Sequence, residues 1–430
     1  MLAMKRYSIA RTATYCVFGV VFAIRTAEAQ IPIKGDPVSD PKLVAFDKIM
    51  QDFMAKHKVS AGQLAIMRNG KVVLDHAYGW LDKDGKVELP VGTLMRVASV
   101  TKPFTAAAIR TLFAEKKLSL DTRLFSQRPE DGGILDLKPP AIGDPRLWDI
   151  TILHCLHHKA GWDRHGKRDY NDPDGIDWTY EELTIATAPG ASSPPSREDV
   201  LRYVMGKKLQ FAPGTQPPAV PGKKPQDRAY SNIGYLALGL VIEKLAGKDY
   251  QSYLRDSVLR DTTFQIDLGR TFRDANTQEP YYYARCGAHL TPGCKEPRGA
   301  NVYYPARGKK RVPRPYGTFN VEARTSQGGI ITNARSLVSF GEKFVVYGEH
   351  IGEARWPAGK WRCAHEGKVR GSEAINLARG DGINYAVIFN QSKFCKNDKN
   401  CVDHATAVRK QLDKAVGVIF GVPPLSKCKP

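Results

Sequence analysis

Ser99-Val100-Thr101-Lys102 places a hydroxyl and an amine three residues apart. On a helix, positions three apart share a face, so Lys102 is held beside the Ser99 hydroxyl. A serine hydroxyl becomes a useful nucleophile only when a base takes its proton. A neutral lysine can do this, but its reference pKa is about 10.4. Bringing it near 7 takes about 4 kcal/mol from burial and neighbouring positive charge. Ser-x-x-Lys occurs three times, at Ser39/Lys42, Ser99/Lys102 and Ser426/Lys429. The first contains Pro41 and the last lies in a Pro-containing tail. Ser99 alone opens an apolar helix, with Phe104, Ala106, Ala107, Ile109 and Leu112 following. Read alone, the motif also fits an ordinary helix start with a solvated lysine.

Tyr230-Ser231-Asn232 follows Phe211-Ala212-Pro213-Gly214 and precedes an apolar helix. It puts a phenol and an amide where both can face one cleft. A tyrosinate near lysines is a candidate general base, and the amide can hold Lys102 and a substrate carbonyl. The alternative is a helix start capped by Asn232. His365-Glu366-Gly367 supplies a third segment, with Gly367 letting a substrate backbone come close; His350-Ile351-Gly352 fits the same pattern. A carboxylate at Glu366 would repel an acidic substrate unless Lys368 or Arg370 offsets it. His154, His157, His158 and His165 invite a test for zinc, but no carboxylate completes a familiar ligand set, and no metal or cofactor is expected.

The elements that must position these groups follow from periodicity. Residues 41–57 carry apolar positions at helical spacing. Gln63–Met67 and Lys71–His76 flank Asn69-Gly70 and read as a hairpin. The helix from Ser99 takes Pro103 in its first turn, where a missing N–H costs little. Ser196 and Asp199 form a capping box for a helix to Met205. Ile233–Leu245 reads as a buried helix ending at Gly247, and Asn333–Phe344 as another. Ala374–Arg379 and Tyr385–Phe389, linked by Asp381-Gly382, read as strands, and His404–Ile419 as a closing helix. Residues 126–148, 163–195, 212–228 and 275–320 read as loops. The fold class is therefore α+β: an antiparallel sheet built from both chain ends, flanked by helices, with an inserted mainly helical region. The expected boundaries are 30–100 with 325–430 for the sheet-containing part and 101–324 for the insertion.

At the N-terminus, Lys5, Arg6 and Arg11 precede an apolar stretch from Tyr15 to Ile24 and then Ala27-Glu28-Ala29. That layout predicts a secretory signal over residues 1–29 with Gln30 as the mature start, hence a periplasmic or secreted protein. The 430-residue chain has a net charge of +20, and losing the signal removes four cations and one anion to leave +17. A basic exported chain suits anionic cell-envelope material, and export argues against a nucleic-acid role for the run Gly308–Arg314. No apolar run of about 20 residues follows the signal, which excludes a multi-span membrane protein. Seven cysteines remain after Cys16; Cys286/Cys294 and Cys395/Cys401 could close local disulfides, with Cys363–Cys395 an alternative.

Together, Ser-x-x-Lys, Tyr-x-Asn and His-x-Gly in this order resemble the serine β-lactamase and penicillin-binding protein superfamily, in its class C β-lactamase and D,D-peptidase branch. Leu156–Trp162, Phe211–Thr215, the stretch Tyr230–Tyr250 and Gly328–Thr332 extend the resemblance over about residues 45–395. It implies a β-lactamase/transpeptidase-like fold and a serine hydrolase working through an acyl-enzyme. It makes Ser99 the nucleophile, Lys102 the group that eases its deprotonation and Tyr230 the proton shuttle. It makes Asn232, His365, Gly367 and Lys368 substrate-binding, with the Ser99 and Lys368 backbone N–H groups as oxyanion donors. The implied substrate is a D-amino-acid peptide or ester. β-Lactam hydrolysis and a non-catalytic penicillin-binding sensor on the same scaffold are the alternatives. His365 stands where β-lactamases usually carry lysine, which predicts slow β-lactam turnover. The spacings of 131 and 135 residues between motifs are long, and the insertions at 126–195 and 275–320 would reshape the cleft, with Tyr281–Tyr283 and Arg285 as lining.

Overall fold

The computed structural model describes residues 31–164, 177–217, 229–260, 263–273, 278–284, 293, 295–304, 309–354, 363–392 and 403–423. The expected signal, residues 286 and 294 of one expected cysteine pair, and residues 395 and 401 of the other, lie outside them.

From the N-terminal side the chain runs β1 (Ile33–Lys34), α1 (Val44–His57), β2 (Ala61–Arg68) and β3 (Lys71–Gly79). Next come β4 (Met95–Arg96), α2 (Thr101–Ala114), α3 (Ile152–Leu156), α4 (Glu182–Ile185), α5 (Arg197–Met205), α6 (Asn232–Ala246) and α7 (Tyr250–Tyr253). The short strands β5 (Ile266–Leu268), β6 (Arg298–Ala300) and β7 (Arg311–Pro313) follow, then α8 (Thr325–Gly328), β8 (Ile330–Thr332) and α9 (Ala334–Lys343). The last elements are β9 (Cys363–Val369), β10 (Ser372–Ala378), β11 (Ile383–Phe389) and α10 (His404–Phe420).

The main sheet has six antiparallel strands in the order β1-β3-β2-β11-β10-β9. The chain ends meet at its centre, where β2 pairs with β11 from Gly62↔Phe389 to Arg68↔Ile383. Hairpin geometry at β2–β3 comes from Asn69 and Gly70, both at positive φ as the Asn-Gly pair predicts. Alternate residues of each strand face opposite layers. Leu64, Ile66, Ile375, Leu377, Tyr385 and Val387 join α1 and α10 in one apolar cluster. Ala65, Ala374, Ala386 and Ile388 join α2, α6 and α9 in the other. Burial on both faces explains why β10 and β11 are buried along their whole length.

α2 is the central element of the second layer. Every residue from Thr101 to Ile109 is buried, and Phe104 stacks on Phe340 of α9 with ring centroids 3.9 Å apart. Truncating such a core phenylalanine to alanine typically costs about 3–5 kcal/mol. A second sheet, β4-β8-β5, ties the approach to α2 to the segment following α8. The structure adds strands to the sequence reading: the His365 segment is itself a strand of the main sheet, and the basic run includes β7, paired with β6 in a separate two-stranded sheet.

The aromatic run is packing rather than cleft lining. Tyr282 and Tyr283 are buried; the Tyr282 hydroxyl donates to Glu279 and accepts from the Arg96 N–H. Arg285 lies outside the described residues. Cys155 is a buried free thiol, pushed up in pKa by its burial. No helix among the described residues is long and apolar enough to cross a membrane.

Candidate active site

Ser99 sits in a 3-10 turn, Ala98–Val100, that leads directly into α2. Ala98 has φ of 48°, a left-handed conformation that is uncommon for a residue with a Cβ. Such backbone strain clusters at functional sites. One turn on, Lys102 is fully buried, and its Nζ donates to Ser99 Oγ at 3.2 Å and to the Gln327 carbonyl at 2.7 Å. That carbonyl is delivered by the close packing of α6 on α8. A Cβ on Gly239 would lie 2.3 Å from Ser326 Oγ, so only glycine lets the two helices meet there. Ser326 in turn donates to the Tyr235 carbonyl at 2.8 Å.

Tyr230 comes from the segment before α6, whose N-cap is Ser231: its Oγ accepts from the Gly234 N–H. Ser231 therefore takes the capping role considered for Asn232. The Tyr230 hydroxyl donates to Ser99 Oγ at 2.7 Å, and the Lys102 Nζ lies 4.9 Å from the centre of its ring. His158 stacks on the other part of this wall, 4.6 Å from the Tyr230 ring, with Nδ1 3.1 Å from the Ser231 N–H. Thus Ser99, Lys102 and Tyr230, from positions 131 residues apart, converge on one oxygen.

The electrostatics of the cluster follow from burial. Lys102 is held well below the ordinary lysine value, first by loss of water and then by the Arg164 cation, with Asp177 opposing and Arg324 reinforcing. Tyr230 is pushed up to about 12 by burial, against the pull of Arg164 and the Ser99 bond. A resting tyrosinate, one of the bases the sequence allows, is therefore disfavoured: the phenol keeps its proton while the amine is driven toward its neutral form.

Asn232 is buried, but its Nδ2 donates to Asp177 Oδ2 at 2.5 Å. The expected bond from Asn232 to Lys102 is replaced by the Gln327 carbonyl. Asp177 also caps the turn Trp178–Tyr180 and lies 3.8 Å from Arg164. The Arg164 guanidinium sits 4.5 Å above the Tyr230 ring. Trp162, Arg164, Asp177, Trp178 and Asn232 line a small cleft here. Behind it, buried Arg324 bonds the Thr179 carbonyl and Glu182 and lies 3.7 Å over the Tyr180 ring, pinning the inserted segment to α8.

β9 crosses the start of α2. A Cβ on Gly367 would stand 2.0 Å from the Val97 carbonyl and 3.0 Å from the Ser99 nitrogen. The glycine thus admits the chain's own backbone, where the sequence suggested room for a substrate. His365, two residues earlier, is buried; its Nδ1 meets the Val346 carbonyl at 2.9 Å and its ring comes within reach of the Ser99 backbone. Burial, and next the Lys102 charge, bring its pKa down to about 4. His350 instead pairs with Glu353 near the surface.

Strand alternation turns Glu366 and Lys368 to the opposite side of β9. Glu366 pairs with Arg409 of α10 at 3.2 Å, and Lys368 bonds Asp403. Glu366 therefore needs no offsetting cation in the cleft, and the Lys368 side chain is not part of it. Arg370 is committed to Thr318. Asp177, Arg164, Arg324 and Gln327 escaped the sequence reading; the signal available was an Asp-Trp-Thr-Tyr stretch inside a presumed loop. Among the described residues no group of three or more His, Cys, Asp or Glu side chains is placed to hold a metal ion.

A family model described as Beta-lactamase matches residues 46–360. The chain belongs to the Beta-lactamase family. Among curated proteins it is 30% identical over 210 residues to a FimD fimbrial assembly protein of Dichelobacter nodosus, covering 49% of this chain and 44% of that protein. It is 28% identical over 234 residues to Protein flp of Staphylococcus aureus strain N315, covering 53% and 40%. The chain thus matches less than half the length of either relative.

Solved structures of the same fold include the octameric penicillin-binding protein homologue from Pyrococcus abyssi, with a TM-score of 0.58, 18% identity and coverage of 90% of this chain and 79% of that one. The D-amino acid amidase from Ochrobactrum anthropi SV3, complexed with L-phenylalanine amide, has a TM-score of 0.58 at 17% identity, covering 89% and 99%. The penicillin binding protein from Bacillus halodurans gives 0.55 at 18%, covering 86% and 99%. The α+β architecture with its antiparallel sheet is therefore the fold of these penicillin-binding proteins and of the D-amino acid amidase.

Proposed function

We propose that this Beta-lactamase family member is an exported serine hydrolase that acts through an acyl-enzyme on an amide or ester with a D-amino-acid residue at the scissile carbonyl. The observation that carries the reading is the pair of hydrogen bonds on Ser99 Oγ, from Lys102 at 3.2 Å and Tyr230 at 2.7 Å. Neutral Lys102 takes the Ser99 proton as Oγ bonds to the carbonyl carbon. The Ser99 and Lys368 backbone N–H groups receive the oxyanion, a donor role worth about 3–4 kcal/mol each. The proton returns to the leaving amine or alcohol through the Tyr230 hydroxyl, the carbon–leaving-group bond breaks, and water then releases the acyl group by the reverse path. Asn232, His365 and the β9 backbone at Gly367–Lys368 bind the substrate.

The D-amino acid amidase and the penicillin-binding proteins of the same fold support this substrate class. Neutral His365 favours substrates without a carboxylate, such as D-amino acid amides and esters, over β-lactams, whose carboxylate would meet no fixed cation there. Export rests on the signal-like residues 1–29, and the positive charge suits anionic cell-envelope material as a partner.

Trapping with a labelled fluorophosphonate and with labelled penicillin tests the chemistry. Wild-type protein is expected to take the label and Ser99→Ala to take none. Label undiminished in Ser99→Ala, or absent from the wild type, rejects the serine mechanism and favours a non-catalytic sensor. A screen of D-alanyl peptides, D-amino acid amides, short-chain esters and nitrocefin then assigns the substrate, with nitrocefin expected to be slow.

A further inference from the structure

The segment 177–182 is tied to the site through several side chains. Asp177 is mostly buried, and its carboxylate is spent inward: Oδ1 accepts from the Thr179 N–H and hydroxyl, and Oδ2 accepts from Asn232 Nδ2 at 2.5 Å. A carboxylate only accepts, so this contact decides the flip of the Asn232 amide. One of the two Nδ2 hydrogens is used on Asp177, which turns the amide oxygen away from that carboxylate to meet a donor. Arg164, 3.8 Å from the same carboxylate, reaches over the Tyr230 ring. An anion and a cation thus meet against the Tyr230-Ser231-Asn232 segment from residues outside all three motifs.

We propose that Asp177 and Arg164 are positioning residues for the reaction, Asp177 fixing the Asn232 amide with its oxygen toward an N–H of the substrate and Arg164 holding the Tyr230 ring that also faces Lys102. This rests on the serine hydrolase reading and sharpens it: an amide or peptide, which offers an N–H, fits the site better than an ester. The charged and titratable groups facing Lys102 are Arg164, Asp177, Arg324, His158, His365, Tyr230 and Tyr235. Of these, Asp177 is the anion that holds the Lys102 proton on, while Arg164 and Arg324 drive it off. Arg324 is buried and holds the fold, so Arg164 and Asp177 are the pair to test.

The experiment measures the rate of Ser99 labelling by a fluorophosphonate against pH in the wild type, Asp177→Asn, Asp177→Glu and Arg164→Gln. It adds kcat and KM on a matched D-amino acid amide and ester, with thermal melts to show that each variant folds. Asp177→Asn is expected to move the acid limb of labelling to lower pH, and Arg164→Gln to move it to higher pH. A segment that served only as scaffold would shift neither, or both alike. Asp177→Asn is also expected to lose about tenfold in kcat/KM on the amide, which is about 1.4 kcal/mol, and less on the ester. Asp177→Glu should recover part of that loss. Limbs that stay put, or shift the same way, in folded variants overturn the inference while the labelled wild type leaves the hydrolase reading standing. A wild type that takes no label removes both.

Discussion

Two corners of the molecule bury a basic side chain and treat it in opposite ways. Beneath β3, His76 places Nδ1 2.8 Å from Asp47 of α1 and Nε2 2.9 Å from the Asp36 carbonyl. Asp47 also takes the Tyr78 hydroxyl at 2.6 Å. The Asp47 bond outweighs burial, and the His76 pKa is raised. Beside Ser99, Lys102 and His365 are buried with carbonyls and hydroxyls as their hydrogen-bond partners, and both are lowered. Burial is common to the two corners; a carboxylate in direct contact is not. One arrangement fixes a charge to hold the fold, and the other strips a charge to leave a base.

The comparison breaks first at Lys102. Lys102→Met is expected to cut Ser99 labelling by about a thousandfold, the scale of losing a general base. The melting temperature should hold or rise, because an apolar side chain of similar length escapes the desolvation cost. A clear fall in melting temperature with labelling intact would show that Lys102 serves the fold, as His76 does.

Gly367→Ala probes how β9 reaches the serine. The added methyl group meets the Val97 carbonyl, so strand or turn must shift. A loss of about 1–3 kcal/mol in denaturant unfolding is expected, together with slower labelling. Unchanged labelling would show that β9 can retreat without disturbing Ser99.

The smallest change sharpens the other corner. Asp47→Asn should cost about 1–3 kcal/mol of stability below pH 6.5 and leave Ser99 labelling untouched. His76 has a raised folded pKa, so its contribution is complete below the unfolded value near 6.5 and fades as pH rises past the folded one. The gap between wild type and Asp47→Asn in urea titrations should therefore narrow with rising pH. A gap constant with pH would mean that the Tyr78 bond, rather than the imidazolium, is what Asp47 supplies.

Local signals made much of this legible in the sequence. The Asn69-Gly70 turn, Pro103 in the first turn of α2, the Ser196–Asp199 capping box and Gly247 at positive φ after α6 each encode geometry within a few residues. The convergence of residues 99, 102 and 230 was inferred from motif order and is present. Strand β9 was missed because Glu366 and Lys368 break its apolar pattern; they alternate with His365 and Gly367 only because the two sides of an edge strand meet different neighbours. Asp177, Arg164 and Arg324 were illegible for another reason. Their partners lie across the fold, and no pattern within their own stretches marks them as charges that meet.

The register of the central strands sets an order on assembly. The Ala61–Arg68 strand waits for its neighbour Ile383–Phe389, made more than 300 residues later. Until those last strands emerge from the ribosome, the apolar hairpin at the start of the chain has one open edge and the serine turn has no cover from Gly367. Contacts this distant in sequence slow folding and lengthen the time an unpaired edge is exposed to aggregation. Nascent chains truncated before residue 363 should therefore hold Ser99 in a solvent-open, unassembled state, and the active arrangement can arise only once the strands through Phe389 are available.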